Sequence, residues 1–330
     1  MNPIKLTSLV RTSARAITAS LLMTAVSIAG STPFSRIIVF GDSLSDTGNA
    51  FMLTGGIYPT SPPNAGGRIS NGPLWVECLA ESLGMELQPE DQYAVVGACS
   101  GFGNFSYQAS YPALEALEGT GLQWQIQTFL NDSGSGQVDP NALYIVWIGA
   151  NDIFTALTFH EDMYLTVSKA IQNTAVAVGT LASRGARHIL VANLPDLGLT
   201  PFGLAQGQQG SEGLSGLTET YNYFLNAALD TLEIASIRTI RLDAAGLIRE
   251  IAADPELFGL ENVTDMAIDA AGDADGYLFW DGVHPTTAGH QIVAERAVRE
   301  LVAFYSPRRG RGNGPGLVNS LNGLVKASGR

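Results

Sequence analysis

The sequence predicts an α/β fold in which a doubly wound parallel sheet is covered by helices. Short apolar, β-branched runs alternate along the chain with segments of helical periodicity. Runs that are apolar at nearly every position are typical of parallel strands buried on both faces. Five such runs are present, at 36–40, 93–97, 143–149, 188–192 and 238–242. Their alternation with helical segments indicates one domain, which we assign to residues 30–305.

Helical patterns fill the intervals between these runs. The segment 73–83 begins with Pro73, and proline is favoured in the first turn of a helix. Between residues 217 and 232, apolar side chains recur at spacings of three and four, and between 293 and 305 they recur every fourth residue. These spacings predict amphipathic helices whose apolar faces pack against the sheet.

Charge is distributed unevenly along the chain. The sequence holds 18 basic and 31 acidic residues, for a formal net charge of −13. Residues 1–29 and 306–330 hold eight of the bases and no acid, which leaves 10 bases against 31 acids between them, a net charge of −21. Such a surface repels phosphate backbones and anionic bilayers, so we expect no nucleic-acid partner.

Both ends are predicted to lie outside the folded domain. In residues 1–29, three basic residues precede an apolar run that ends in Ser27-Ile28-Ala29, a pattern typical of a cleaved signal peptide. The run is shorter than the roughly 20 residues that a membrane-spanning helix needs. We therefore expect a secreted protein, extracellular or periplasmic, without stable membrane insertion; a retained amphipathic anchor is the alternative. Residues 306–330 are expected to form a flexible basic tail.

Polar residues follow directly after the predicted strands. In doubly wound sheets, ligands bind where the carboxyl ends of the strands meet at a reversal of strand order. Ser43 follows the first strand, Gly97 the second and Asn151 the third, while a last strand-like segment is followed by Asp281 and His284. These five residues are therefore candidates for one functional site.

Ser43 is the candidate nucleophile of this site. A serine hydroxyl needs a base that removes its proton, commonly a histidine steered by a carboxylate. Of the four histidines, His284 lies in a Gly/Pro-rich loop three residues after Asp281. The alternative interpretation of this spacing is a turn that precedes a helix. We also expect donors for a developing oxyanion from the N–H groups of Ser43 and Gly97 and the amide of Asn151; a plain turn and a helix cap are the alternatives at the last two positions.

Four segments in this order resemble the motif blocks of the GDSL lipases and esterases, also called SGNH hydrolases. They are Phe40-Gly-Asp-Ser-Leu-Ser-Asp-Thr-Gly-Asn49, Ala94-Val-Val-Gly-Ala98, Gly149-Ala-Asn-Asp152 and Asp281-Gly-Val-His-Pro285. Segments 67–77 and 193–201 resemble secondary blocks of the secreted bacterial and plant-type branch. The resemblance covers about residues 36–304. Val96 departs from it, because the second block often reads Gly-Gly-Ala.

The resemblance implies a flavodoxin-like three-layer sandwich with a five-stranded parallel sheet. It assigns Ser43 as nucleophile, His284 as base, Asp281 as orienting acid, and Ser43, Gly97 and Asn151 as donors of the oxyanion hole. It implies no metal and no organic cofactor. Asp42 and Asp46 are interpreted as groups that order the loop around the serine, and Asp152 as a structural residue.

The expected function is that of a secreted serine esterase. We expect a monomer that cleaves carboxylic acyl esters, either small molecules or lipids. A carbohydrate deacetylase or an acyltransferase that uses the same site is the alternative within enzymes, and a non-catalytic binding module is the alternative outside them. Cys78 and Cys99 can form a disulfide or remain buried thiols, and the sequence leaves both open. The aromatic segment 101–111 either lines an acyl pocket or packs as an ordinary loop.

Overall fold

The computed structural model describes residues 34–110, 112–134, 136–235, 237–270 and 274–306. The predicted signal peptide, residues 1–29, lies outside the described residues, as does all of the predicted tail except Ser306. In the described part of the chain, no helix combines the length and the hydropathy needed to cross a membrane.

A four-stranded parallel sheet forms the centre of the fold. The strands are β1 (Ile37–Gly41), β2 (Leu143–Trp147), β3 (His188–Ala192) and β4 (Thr239–Leu242), adjacent in that order. Ile37 lies opposite Leu143, which lies opposite His188. The residues of β1 and β2 are all buried, as expected for strands covered on both faces. The prediction of a parallel α/β sheet is confirmed.

The predicted strand at 93–97 is reduced to an extended segment beside the free edge of β1. Gln92 and Val39 form an isolated parallel bridge, and the Tyr93 N–H donates to the Val39 carbonyl at 2.8 Å. A further hydrogen bond joins the Val95 N–H to the Gly41 carbonyl at 3.2 Å, and the chain then turns away at Gly97, where φ is +79°. The main sheet therefore has four full strands rather than five. With this segment at its edge, the spatial order is nevertheless the flavodoxin-like order 2-1-3-4-5.

Ten helices connect these strands in the described residues. They are α1 (Asn49–Leu53), α2 (Trp75–Ser82), α3 (Phe105–Ser110), α4 (Leu122–Asp132), α5 (Ala150–Phe159), α6 (Met163–Ser183), α7 (Pro201–Leu204), α8 (Gly207–Ile234), α9 (Ala244–Ala253) and α10 (Thr287–Tyr305). Short 3-10 helices lie at Pro89–Asp91, Glu115–Leu117, Leu197–Leu199, Pro255–Phe258, Ala267–Asp269 and Ala274–Gly276. The predicted helices at 73–83, 217–232 and 293–305 correspond to α2, α8 and α10.

Successive strand residues point to opposite faces of the sheet, and each face has its own apolar core. Val39 and Ile145 pack with side chains of α2, α9 and α10. Phe40 and Val146 pack with side chains of α4, α6 and α8. This alternation gives three layers, so the predicted sandwich architecture is confirmed.

A second, two-stranded parallel sheet carries the loop that contains His284. It consists of β5 (Asn262–Met266) and β6 (Tyr277–Phe279). The loop after β6 is closed by backbone hydrogen bonds, because the Trp280 N–H donates to the His284 carbonyl at 2.7 Å and the Thr286 N–H donates to the Leu278 carbonyl at 2.9 Å. Thr286 then caps α10. The loop is therefore fixed at both of its ends.

Both cysteines are free and buried. Cys78 belongs to the core that α2 forms with the sheet, whereas the Cys99 Sγ lies 3.6 Å from the Thr155 Oγ1 of α5. The disulfide alternative is therefore wrong, and the two residues are buried thiols.

Candidate active site

Ser43, His284 and Asp281 form one hydrogen-bonded row. The Ser43 Oγ lies 2.7 Å from the His284 Nε2, although the two residues are 241 positions apart in the sequence. On the other side of the ring, the His284 Nδ1 lies 2.9 Å and 2.8 Å from the two carboxylate oxygens of Asp281. A hydroxyl, an imidazole and a carboxylate in this order can pass a proton from the serine to the histidine.

The carboxyl end of β1 positions Ser43. The strand ends at Gly41, and the next residues form a tight turn in which the N–H groups of Ser45 and Asp46 both donate to the Asp42 carbonyl at 3.0 Å. A Cβ at Gly41 would lie only 2.5 Å from the Trp147 carbonyl oxygen of β2. The close approach of β1 to β2 therefore requires glycine just before the turn that presents the serine.

Gln125 of α4 fixes the same strand end, a role that was not predicted from the sequence. Its side-chain oxygen accepts the Gly41 N–H at 2.9 Å, and its amide donates to the Gly41 carbonyl at 2.8 Å. The side chain is completely buried. The one signal in the sequence is an amide on the apolar face of an amphipathic helix, because Gln125 lies at helical spacing from Leu122 and Phe129.

Asp281 is held by its own loop. Its Oδ1 accepts the N–H groups of Val283 at 2.9 Å and His284 at 2.8 Å. The two interpretations of the Asp-x-x-His spacing are therefore both correct, since these residues form a turn before α10 and His284 also contacts Ser43. Burial alone would raise the pKa of the Asp281 carboxyl, but the His284 ring and these N–H donors outweigh it, so the pKa is lowered.

The pKa of the His284 imidazole is shifted in the opposite direction to that of Asp281. Burial lowers the pKa of this ring, but the charge and the hydrogen bond of Asp281, together with the charge of Asp42, more than compensate. The pKa of His284 is therefore raised above its ordinary value. A more basic ring accepts the proton of a serine hydroxyl more readily.

Asp42, next to Ser43, is almost fully desolvated. It is 2% exposed, and burial raises the pKa of its carboxyl to about 7, although the Leu44 N–H and the nearby His284 oppose this rise. The Leu44 N–H donates to the Asp42 Oδ1 at 3.1 Å, so the carboxyl orders the turn, as interpreted from the sequence. It can exchange a proton near neutral pH.

The three predicted oxyanion donors border the same cavity as His284. In the described residues, neither the Ser43 N–H nor the Gly97 N–H donates a hydrogen bond to another group of the protein. The Asn151 amide donates to the Ala98 carbonyl at 3.1 Å, which leaves its second hydrogen available. The cap of α5 is Gly149, so the alternative that Asn151 caps this helix is wrong.

Gly97 lies where no other residue fits. Its φ is +79°, and an added Cβ would lie 2.4 Å from the Ser106 Oγ and 2.6 Å from the Asn104 Oδ1. The turn interpretation and the donor interpretation are therefore compatible, because the turn leaves the Gly97 N–H without an internal acceptor.

The cavity beside Ser43 has a volume of about 120 Å³ and a largely apolar wall. Its apolar lining includes Tyr58, Ile69, Phe105, Phe154, Pro195 and Leu197. Phe105 and Ser106 come from the aromatic segment 101–111, which therefore lines the cavity rather than packing only as a loop. The other lining residues were not identified from the sequence, because they lie in loops or at helix positions that carry no periodic signal. Within the described ranges, no group of three or more His, Cys, Asp or Glu side chains could hold a metal ion.

In comparison with known proteins, one protein family matches most of the chain. The family described as GDSL-like Lipase/Acylhydrolase matches residues 37–297. A phosphatidylcholine-sterol acyltransferase of Aeromonas hydrophila is 28% identical, over 82% of this chain and 91% of that protein. A thermolabile hemolysin of Vibrio parahaemolyticus is 26% identical, over 79% of this chain and 62% of that protein. Among solved structures, a member of the lipolytic protein G-D-S-L family from Veillonella parvula aligns with a TM-score of 0.40 and 16% identity, over 80% of this chain and 96% of that one.

Replacement of the buried carboxyl next to Ser43 is expected to stabilise the fold at alkaline pH. Because burial raises the pKa of Asp42 to about 7, the folded protein holds this proton more tightly than the unfolded chain, whose aspartates ionise near pH 3.9. Asp42 therefore contributes its full stabilisation to the free energy of unfolding below about pH 3.9, and this contribution is lost as the pH rises through 7. Asp42→Asn should raise Tm more at pH 8 than at pH 5.

The measurement is thermal unfolding at both pH values, with Asp139→Asn as control. The pKa of Asp139 is lowered, chiefly by its hydrogen bond to Ser35, so removal of this carboxylate should bring no gain at pH 8. An equal gain for Asp42→Asn at the two pH values would contradict the assignment of a raised pKa.

Proposed function

The chain belongs to the GDSL-like lipase/acylhydrolase family and is an ester hydrolase; we propose that it cleaves carboxylic acyl esters through an acyl-enzyme formed on Ser43. The observation that carries this proposal is the row of 2.7–2.9 Å contacts from Ser43 through His284 to Asp281. Membership in a family of hydrolases removes the alternative of a non-catalytic binding module.

The proposed reaction has two steps. The His284 Nε2 removes the Ser43 proton as the Oγ attacks the ester carbonyl carbon, and Asp281 stabilises the resulting imidazolium. The N–H groups of Ser43 and Gly97 and the Asn151 amide donate to the oxyanion. Collapse of this intermediate breaks the ester bond, and His284 protonates the leaving alcohol. His284 then deprotonates a water molecule, which attacks the acyl carbon. The acyl–Oγ bond breaks, the Ser43 Oγ takes a proton from His284, and the acid is released.

We propose acyl esters with an apolar acyl group as substrates, lipids among them. The apolar lining of the cavity supports this choice. A second candidate is transfer of the acyl group to an alcohol, which the name of the relative from Aeromonas hydrophila favours. Product analysis with p-nitrophenyl butyrate in the presence of a long-chain alcohol or a sterol separates the two. Formation of the new ester supports transfer, and release of free butyrate alone rejects it.

We propose that residues 1–29 direct secretion and are then removed. The proposal rests on their basic start, apolar run and small residues at positions 27 and 29. N-terminal sequencing of protein collected outside the cytoplasm should begin after Ala29. An intact N-terminus on that protein would reject cleavage.

Loss of the nucleophile should abolish turnover without loss of the fold. Ser43→Ala is expected to lower kcat for p-nitrophenyl butyrate by at least about 10³-fold and to prevent labelling by a fluorophosphonate, because among the described residues no other hydroxyl is hydrogen-bonded to His284. Ser45→Ala is the matched control: Ser45 lies in the same turn, but its Oγ accepts the Trp75 indole N–H at 3.1 Å. Turnover that survives Ser43→Ala with an unchanged rate would overturn the assignment.

Activity is expected to rise with pH through the pKa of His284. Only the neutral ring accepts the serine proton, and its raised pKa places the midpoint of kcat/KM above the ordinary value of about 6.5. Asp281→Asn removes the charge that offsets the effect of burial on the pKa of His284, so the midpoint should move to lower pH. The plateau of kcat/KM should fall by roughly 10³–10⁴-fold.

The check is a profile of kcat/KM against pH with p-nitrophenyl butyrate, corrected for spontaneous hydrolysis. His160→Asn, which changes an exposed histidine at the end of α5, is the control and should leave the midpoint in place. A midpoint that stays unchanged in Asp281→Asn would contradict the proposed coupling.

A further inference from the structure

The three oxyanion donors belong to three separate segments of the chain. The Ser43 N–H lies in the turn after β1, the Gly97 N–H in the loop beside β1, and the Asn151 amide at the start of α5. Donors in an oxyanion hole act on one atom, so their relative positions must hold to a fraction of an ångström. Backbone pairing between this loop and β1 extends only to Val95, whose N–H donates to the Gly41 carbonyl at 3.2 Å, so it does not fix the Gly97 N–H itself.

Asp46 connects the first segment to the second. Its side chain is completely buried, and its Oδ1 accepts the N–H groups of Gly48 at 2.8 Å and Asn49 at 2.5 Å. Its Oδ2 accepts the Ala50 N–H at 3.0 Å and the Val96 N–H at 2.8 Å. One carboxylate thereby joins the end of the nucleophile turn to the residue before the second donor.

Asp152 connects the second segment to the third. It follows Asn151 on α5, and its two oxygens accept the Ser100 Oγ–H at 2.7 Å and the Ser100 N–H at 2.9 Å. Burial raises the pKa of Asp152 to about 6, and the bonds from Ser100 oppose this rise. The loop that contains Gly97 is therefore bound by one buried carboxylate on each side.

We propose that Asp46 and Asp152 are positioning residues that hold the Gly97 N–H in register with the donors of Ser43 and Asn151. This inference rests on the proposed function, since it assigns these carboxylates to the same oxyanion hole. Neither residue is required to touch the substrate. Desolvation of a carboxylate is costly, and backbone N–H donors offset that cost only while the loop stays in place. The same bonds therefore make displacement of the loop unfavourable.

The test uses Asp46→Asn and Asp152→Asn. Asparagine keeps the shape but turns one accepting oxygen into an amide that faces an N–H or O–H donor. We expect kcat for p-nitrophenyl butyrate to fall by about 10- to 100-fold, less than the loss of a whole donor, with KM changed less than about threefold. Affinity for a trifluoromethyl ketone, which forms an oxyanion on Ser43, should fall in parallel with kcat.

Asp91→Asn is the matched control. Asp91 is equally buried, at 1% exposure, but pairs with Arg36 at the opposite end of β1. This variant should lower Tm and leave both kcat and the ketone affinity unchanged. Rates are normalised by fluorophosphonate titration, so that unfolded protein does not count as lost activity. If Asp152→Asn does not fold, Ser100→Ala removes the donor to Asp152 at 2.7 Å and should lower kcat by about two- to tenfold. If Asp46→Asn does not fold, the positioning role is tested at Asp152.

Two results would overturn the positioning role. One is a fall in Tm with kcat as in the wild type; the other is a fall in kcat while the ketone still binds with wild-type affinity. A failure of the proposed function is distinguishable from both, because Ser43→Ala would then remain active. If instead Ser43→Ala is inactive while the Asp46 and Asp152 variants match the wild type, the positioning role alone is rejected.

Discussion

The site depends on the hydrogen bond between Ser43 and His284, which joins the two ends of the folded chain. Ser43 follows the first strand of the main sheet, whereas His284 follows the last strand of the small sheet and precedes α10. This bond can form only if the core between α2, α10 and the main sheet brings both loops to the carboxyl edge of β1. Trp75, Leu79, Ala294 and Leu301 are all buried in that core. Packing far from the candidate site therefore sets the distance between Ser43 and His284.

Carboxylates surround Ser43 in a protein that already carries excess negative charge. Asp42, Asp46 and Asp152 are all at least nine-tenths buried, and burial raises the pKa of each one. A developing oxyanion would be disfavoured by three free negative charges, but Asp46 and Asp152 accept several N–H and O–H donors that spread their charge. Asp42 has fewer such donors and a pKa of about 7, so protonation removes much of its negative charge at acidic pH.

Much of the fold and several residues of the candidate site could be predicted from the sequence, because both leave local patterns in it. The β-branched runs predicted the strands, and the rule that polar residues follow strand ends selected Ser43, Asn151 and His284 from a long chain. The structure differs from the prediction where contacts between residues distant in the sequence determine the conformation. The segment at 93–97 has the composition of a strand, but the turn at Gly97 limits its pairing. The roles of Gln125 and Asp46 depend on partners 84 and 50 residues away, which no local pattern specifies.

Val96, which replaces a glycine common in the second family block, is compatible with the proposed oxyanion hole. The left-handed φ occurs at Gly97, and of the described non-glycine residues only His160 has a positive φ, so Val96 adopts an ordinary backbone conformation. Its N–H donates to Asp46, and its carbonyl accepts the Asn104 amide at 2.8 Å. Its side chain is 1% exposed and lines the cavity. Position 96 contributes its backbone N–H and carbonyl, which valine supplies as well as glycine does. The valine side chain adds apolar surface to the cavity next to Ser43.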